Sequence, residues 1–95
     1  MTQSNHILLV ESDANLSMVV ADYLRSKSYT VDTAKDGQEA WELIPKRHYD
    51  IVLSNITMPN MNGYELLKLI RSAFATLPVV FISEKKDKDS IIRAY

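Results

Sequence analysis

Ile51-Val52-Leu53-Ser54-Asn55-Ile56-Thr57-Met58-Pro59-Asn60-Met61-Asn62-Gly63 is the stretch on which the rest of the chain turns. Ile51 to Ser54 reads as a buried strand that runs straight into a loop bearing one polar side chain, Asn55. A Met-Pro pair and an Asn-Gly pair follow, and a strongly patterned helix begins at Gly63. Apolar runs without alternation mark strands covered on both faces, as in a parallel sheet. In open α/β sheets, ligands and chemistry gather just outside the carboxyl ends of the strands, so Asn55 stands at a functional address.

On the amino-terminal side, Ile7-Leu8-Leu9-Val10 has the same unbroken apolar character, and Glu11-Ser12-Asp13 places three polar side chains at its carboxyl end. Leu16, Val19, Val20, Tyr23 and Leu24 then recur at helical spacing. Asp13 or Asn15 can cap that helix, and Arg25 and Lys27 suit its carboxyl-terminal dipole. Tyr29 to Ala34 is β-branched and alternating, which predicts an edge strand. Asp36-Gly37 predicts a turn, Gln38 to Ile44 a helix, and Pro45 its end.

On the carboxyl-terminal side, Leu66, Leu67, Ile70 and Phe74 form one stripe of a third helix from about Gly63 to Phe74. Val79 to Ile82 is another run buried on both faces, ending at Ser83. A charged loop, residues 84–89, and a helix starting at Ser90 complete the expectation. The order βαβαβαβα implies an α/β fold with a parallel sheet and right-handed crossovers.

Composition narrows the function classes. Ninety-five residues support one domain, and 46% hydrophobic with 24% charged residues is ordinary for a globular protein. A net charge of -1 gives no electrostatic case for nucleic acid or a bilayer surface. Without cysteine there is no disulfide framework or thiolate metal site, and no apolar stretch approaches membrane-spanning length. The amino terminus lacks the basic segment and apolar run of a signal peptide, which leads us to expect a cytoplasmic protein. Gly37 and Gly63 make no glycine-rich phosphate loop, and no Ser-His-Asp or Cys-His arrangement can be assembled, so no enzyme is expected. His6 and His48 fall outside any ligand spacing and are expected at the surface, and Trp41 is expected in helix–sheet packing.

The stretch from Asn55 to Gly63 resembles the phosphoacceptor loop of response-regulator receiver domains, and the similarity extends from Ile7 to Tyr95. That resemblance implies a flavodoxin-like sheet of order 2-1-3-4-5, of which four strands (2-1-3-4) are expected here. It also implies a single receiver-like domain over residues 1–95 that stops short of the family's last strand and helix. The family places an acidic pair after the first strand, a phosphoacceptor Asp after the third, and a Ser or Thr after the fourth. The acids hold magnesium, and the Asp receives a phosphoryl group from a histidine kinase.

Carried across by position, Glu11 keeps the first acid, Ser12 replaces the second, and Asp13 is expected to turn toward the helix cap. Asn55 replaces the nucleophile, Ser83 keeps the switch hydroxyl, and Thr57 would lend only a backbone carbonyl. The family's lysine has no counterpart. A carboxylate attacks phosphorus through an anionic oxygen, whereas a carboxamide is neutral and forms no stable acyl phosphate. Magnesium prefers an octahedron of hard oxygens with one or two carboxylates, so at most weak magnesium binding and no cofactor are expected.

The resemblance therefore implies a two-component (phosphorelay) receiver that acts independently of phosphorylation through contacts with a signalling protein. The alternative is a flavodoxin-like small-ligand or metal-binding domain using the same crevice, and an engineered substitution would explain Asn55 but not Ser12 as well. If the fourth strand is an unpaired edge and the first helix's sheet face lacks its second helix, self-association as a dimer is expected there. The contact surface expected on resemblance includes Ser83, Ile91, Ile92 and Tyr95.

Overall fold

The unbroken apolar run of the first strand has a partner for each of its two faces. In the computed structural model, which describes residues 5–74, 76–82 and 92–94, β1 (His6–Val10) is followed by α1 (Ala14–Ser26), β2 (Thr30–Ala34) and α2 (Gly37–Leu43). One 3-10 turn (Ile44–Lys46) precedes β3 (Ile51–Asn55), α3 (Gly63–Ala73), β4 (Val79–Ile82) and β5 (Ile92–Ala94). Leu8 and Val10 of β1 turn toward a core with Ala40 and Ile44 and with Leu66 and Ile70 of α3. Ile7 and Leu9 turn the other way, onto Ala21 of α1 and Val31 of β2. A period of two along a strand with apolar cover on both sides is why the run shows no alternation.

The sheet order is β2-β1-β3-β4-β5, with β1–β2, β1–β3 and β3–β4 all parallel. Four parallel strands in the order 2-1-3-4, with helices on both faces, form the flavodoxin-like arrangement expected from the chain. β2 is the edge, as its alternating pattern predicts.

Two expectations are corrected. β4 is not an unpaired edge: β5 runs antiparallel beside it, with Val80 opposite Ala94 and Ile82 opposite Ile92. Ile92–Ala94 is accordingly a strand and not part of a helix, because an open row of β4 amides and carbonyls offers backbone partners that a short isolated helix must do without. Ser83, the charged loop 84–89, Ser90, Ile91 and Tyr95 lie outside the described residues.

The α1 stripe is also rotated from the one expected. Ser17 and Ala21 are buried, Val20 and Leu24 are half-buried against the second core, and Val19 and Tyr23 face outward. Small residues at 17 and 21 let the helix backbone approach the sheet closely, which pulls that line inward at the expense of larger side chains beside it. Pro45 ends α2 as expected, and the chain continues for one 3-10 turn in which proline occupies a first-turn position. Trp41 packs against the larger core, edge-on to Phe74 with ring centroids 6.1 Å apart.

Candidate functional site

Parallel pairing in register sets the ends of β1 and β3 side by side: Val10 lies opposite Ser54, so the next residues, Glu11 just past β1 and Asn55 at the tip of β3, come together. Both are buried, at 6% and 5% exposure. The Asn55 side-chain Nδ2 donates to both carboxylate oxygens of Glu11, at 3.1 Å to Oε1 and 3.2 Å to Oε2. Oε2 also accepts from the Asp13 backbone N–H at 3.0 Å. Glu11 is thus held by three N–H···O contacts, and residues 44 apart in sequence are joined across the strand ends.

Sequence reasoning brought Glu11, Ser12, Asp13 and Asn55 to one place, and the fold divides them. Asp13 is the N-cap of α1, its Oδ1 accepting from the Asn15 and Leu16 amides at 2.9 and 3.1 Å. This is the role expected of it, and it takes the carboxylate away from the pocket. Ser12 and Thr57 are exposed.

The loop from 56 to 62 is anchored by contacts that no sequence pattern announces. Asp36 is the N-cap of α2, accepting from the Glu39 amide at 2.9 Å, and its other oxygen accepts from Asn60 Nδ2 at 2.7 Å. Asn60 is in the left-handed region with φ 68, which asparagine tolerates better than most residues. The Gly37 amide donates to Met61 O at 3.1 Å, and a Cβ at Gly37 would meet that oxygen at 2.5 Å. A Cβ at Gly63 would lie 2.6 Å from Asn55 O. The Glu39 amide first, then the Asn60 side chain, hold the Asp36 carboxyl below its ordinary value against the opposing effect of burial. Asp36-Gly37 was legible as a turn, but its Asn60 partner lies 24 residues away and could be found only by folding the chain.

Asn62 and Glu65 complete a capping box at the start of α3, each side chain bonded to the other's backbone N–H at 2.9 Å. Asn62 therefore serves the helix and not the pocket.

At the opposite end of the sheet, His6 is half-buried and not the surface residue expected. Its Nε2 lies 3.1 Å from Asp32 Oδ2, which also accepts from the Tyr49 hydroxyl at 2.8 Å and faces Arg47 at 3.6 Å. His6 lies against the buried Tyr49, with ring centroids 4.7 Å apart. His48 is exposed, as expected. Among the described residues, no group of three or more His, Cys, Asp or Glu side chains is placed to hold a metal.

A magnesium ion, which the sequence resemblance implies at the β1 and β3 ends, does not fit these residues. Hard divalent ions want several free anionic oxygens, and the Glu11 carboxylate is already satisfied while Asp13 is committed to its helix.

Comparisons with known proteins bear on this geometry. A family model described as the response regulator receiver domain matches residues 7–95. The transcriptional regulatory protein RprY of Bacteroides fragilis is 32% identical over 95 residues, covering 100% of this chain and 40% of that protein. The sensor histidine kinase RcsC of Escherichia coli (strain K12) is 43% identical over 77 residues, 81% of this chain and 8% of that protein. The chain thus spans less than half the length of either. Among solved structures, the non-phosphorylated HemR receiver domain of Leptospira biflexa superposes with a TM-score of 0.81 at 30% identity, covering 88% of this chain and 68% of that one. The response regulator TrrA of Thermotoga maritima, in complex with Mg2+ and BeF, gives 0.82 at 27% identity, over 86% of this chain and 71% of that one.

Proposed function

The chain belongs to the response regulator receiver family, and on that premise we propose that it is a receiver module whose signal passes through protein–protein contacts and not through a phosphoryl group on residue 55. One observation carries the reading: at the tip of β3 the side chain is a carboxamide, and its nitrogen is spent on Glu11. An amide has no anionic oxygen with which to attack phosphorus. It is also already hydrogen-bonded in a buried site, where freeing it would leave Glu11 without that partner.

The partner is another signalling protein, a histidine kinase or an output domain, and the module carries out no chemistry of its own. A cytoplasmic setting is part of this proposal; no helix among the described residues is long and apolar enough to cross a membrane. Self-association, with β4 already paired, is assigned to the outer face of α1, where Met18, Val19 and Tyr23 are each more than half exposed.

The deciding experiment is incubation with a small phosphodonor and magnesium, followed by intact-mass measurement and acid treatment. No acid-labile phosphoryl adduct is expected. An adduct located at residue 55 would end the proposal.

A further inference from the structure

A buried carboxylate must be compensated, because an unpaired charge out of water is costly. Glu11 is compensated without any cation. Asn55 Nδ2 bridges its two oxygens at 3.1 and 3.2 Å, and the Asp13 amide adds a third donor at 3.0 Å. The amino-terminal end of α1, which begins at Ala14, lies directly after these residues and adds favourable partial positive charge. The donors also tie the loop after β1 to the end of β3, which is the connection a bridging cation would make between two carboxylates.

We propose that the Asn55 amide is the pocket's built-in substitute for a cation: its N–H donors occupy Glu11 in place of a divalent cation and hold the β1 and β3 ends together whatever the divalent concentration. The inference rests on the reading of this pocket as one that takes no phosphoryl group, and deepens it by removing divalent ions as a regulator. A cation approaching Glu11 competes with the Asn55 contacts for the same two oxygens. The next carboxylate along the loop, Asp13, is held at the helix cap, where its Oδ1 accepts from the Asn15 and Leu16 amides.

The reciprocal geometry supplies the test. Asn55→Asp puts two carboxylates where the amide and carboxylate now meet, and like charges at that separation repel. Glu11→Gln combined with Asn55→Asp exchanges donor and acceptor at unchanged side-chain lengths. With the Gln oxygen kept on the Asp13 amide, its nitrogen can donate the 3.1 Å contact back to residue 55, so one bond across the strand ends forms in the reverse sense and the two-carboxylate repulsion is removed. Each protein is followed by thermal unfolding with and without roughly 10 mM magnesium, well above the affinity of a useful hard-ion site. Manganese broadening of the amide signals near residues 11 and 55 gives a second readout.

The unsubstituted chain is expected to show neither a magnesium shift nor local broadening. Asn55→Asp is expected to be less stable without the ion and to bind magnesium at least about tenfold more tightly than the unsubstituted chain. The exchanged pair is expected to be more stable than Asn55→Asp without the ion and to recover indifference to magnesium. The inference is overturned if the unsubstituted chain responds to magnesium as Asn55→Asp does, or if the exchanged pair still depends on the ion. Should Asn55→Asp not fold without a cation, the exchanged pair decides by itself: folding with indifference supports the inference, and failure to fold or magnesium dependence removes it. A bound cation with no phosphoryl adduct would defeat this inference alone, whereas an adduct at residue 55 would defeat the functional reading beneath it.

Discussion

The two ends of the sheet solve the same problem with different chemistry. At the carboxyl end, Glu11 is buried and neutral amides satisfy it. At the amino end, Asp32 is only partly buried and meets a mixed set: the Tyr49 hydroxyl, the His6 ring and the Arg47 guanidinium. Burial alone would push the Asp32 carboxyl up, but the Tyr49 hydrogen bond together with His6 and Arg47 outweighs it and leaves the group below its ordinary value. A carboxylate network is therefore no mark of a functional site by itself. What separates the ends is address: one network ties β1, β2 and the entry to β3, while the other sits where loops leave the parallel strands.

The two ends also differ in how much room they leave, and this gives the largest expected effect. Gly63→Ala would place a methyl 2.6 Å from Asn55 O and 3.1 Å from both Ile56 Cα and a Phe81 ring carbon. Backbone on two sides cannot yield cheaply, so a loss of about 3 kcal/mol in urea unfolding is expected. A loss below about 1 kcal/mol would mean that the carboxyl end is looser than these distances indicate.

Asn60 gives a smaller and more discriminating effect. Asn60→Ala removes the bond to Asp36 and leaves a less tolerant residue at φ 68, for about 2 kcal/mol in total. Asn60→Gly loses the same bond but is at ease at positive φ, so about half that loss is expected. Equal losses would show that backbone strain plays no part in holding the loop.

Much of this was readable in advance. The unbroken apolar runs at Ile7–Val10 and Val79–Ile82 carried the parallel sheet, and Asn55 was placed at a strand tip from its position alone. The legible features are local, because a strand pattern or an N-cap such as Asp13 depends on a few neighbours. The illegible ones are long-range. Asp36 finds Asn60, and Asp32 finds both His6 and Tyr49, only after the chain has folded. The rotation of α1 escaped for another reason: hydrophobic spacing favoured Val19 and Tyr23, whereas close approach to the sheet selected Ser17 and Ala21.

Tyr49→Phe probes the amino end and should cost about 1 kcal/mol at neutral pH, the worth of one hydrogen bond to a charged acceptor that keeps other partners. Its clearer signature is in the pH profile. Burial first, and then the bond to Asp32, raises the Tyr49 hydroxyl above its usual value. Its stabilisation is therefore present below about pH 10 and fades as pH rises further. Asp32 is lowered, so its share is present above about pH 4 and is lost as pH falls through its folded value. Removing the hydroxyl takes away the alkaline effect and only the Tyr49 part of the acid one, because His6 and Arg47 still face Asp32. Unfolding free energies measured from about pH 3 to about pH 11 should therefore flatten at the alkaline limit and change less at the acid one. An unchanged alkaline limb would show that Tyr49 ionisation does not matter to folding.

The smallest effect on stability is expected on α1, which the two end networks leave free on its outer side. Val19 is 64% exposed, so Val19→Glu should change unfolding free energy by no more than about 0.5 kcal/mol. Association should respond far more, because a charge at the centre of an apolar contact between copies must be desolvated without a partner. Sedimentation of the unsubstituted chain should show dimer growing with concentration, and Val19→Glu should return it to monomer while leaving the urea midpoint nearly unchanged. The pairing of a large change in association with a negligible change in stability is what separates a contact face from a merely exposed one. If both proteins sediment as monomers at high concentration, Met18, Val19 and Tyr23 are ordinary exposed residues and the assignment of self-association to α1 fails.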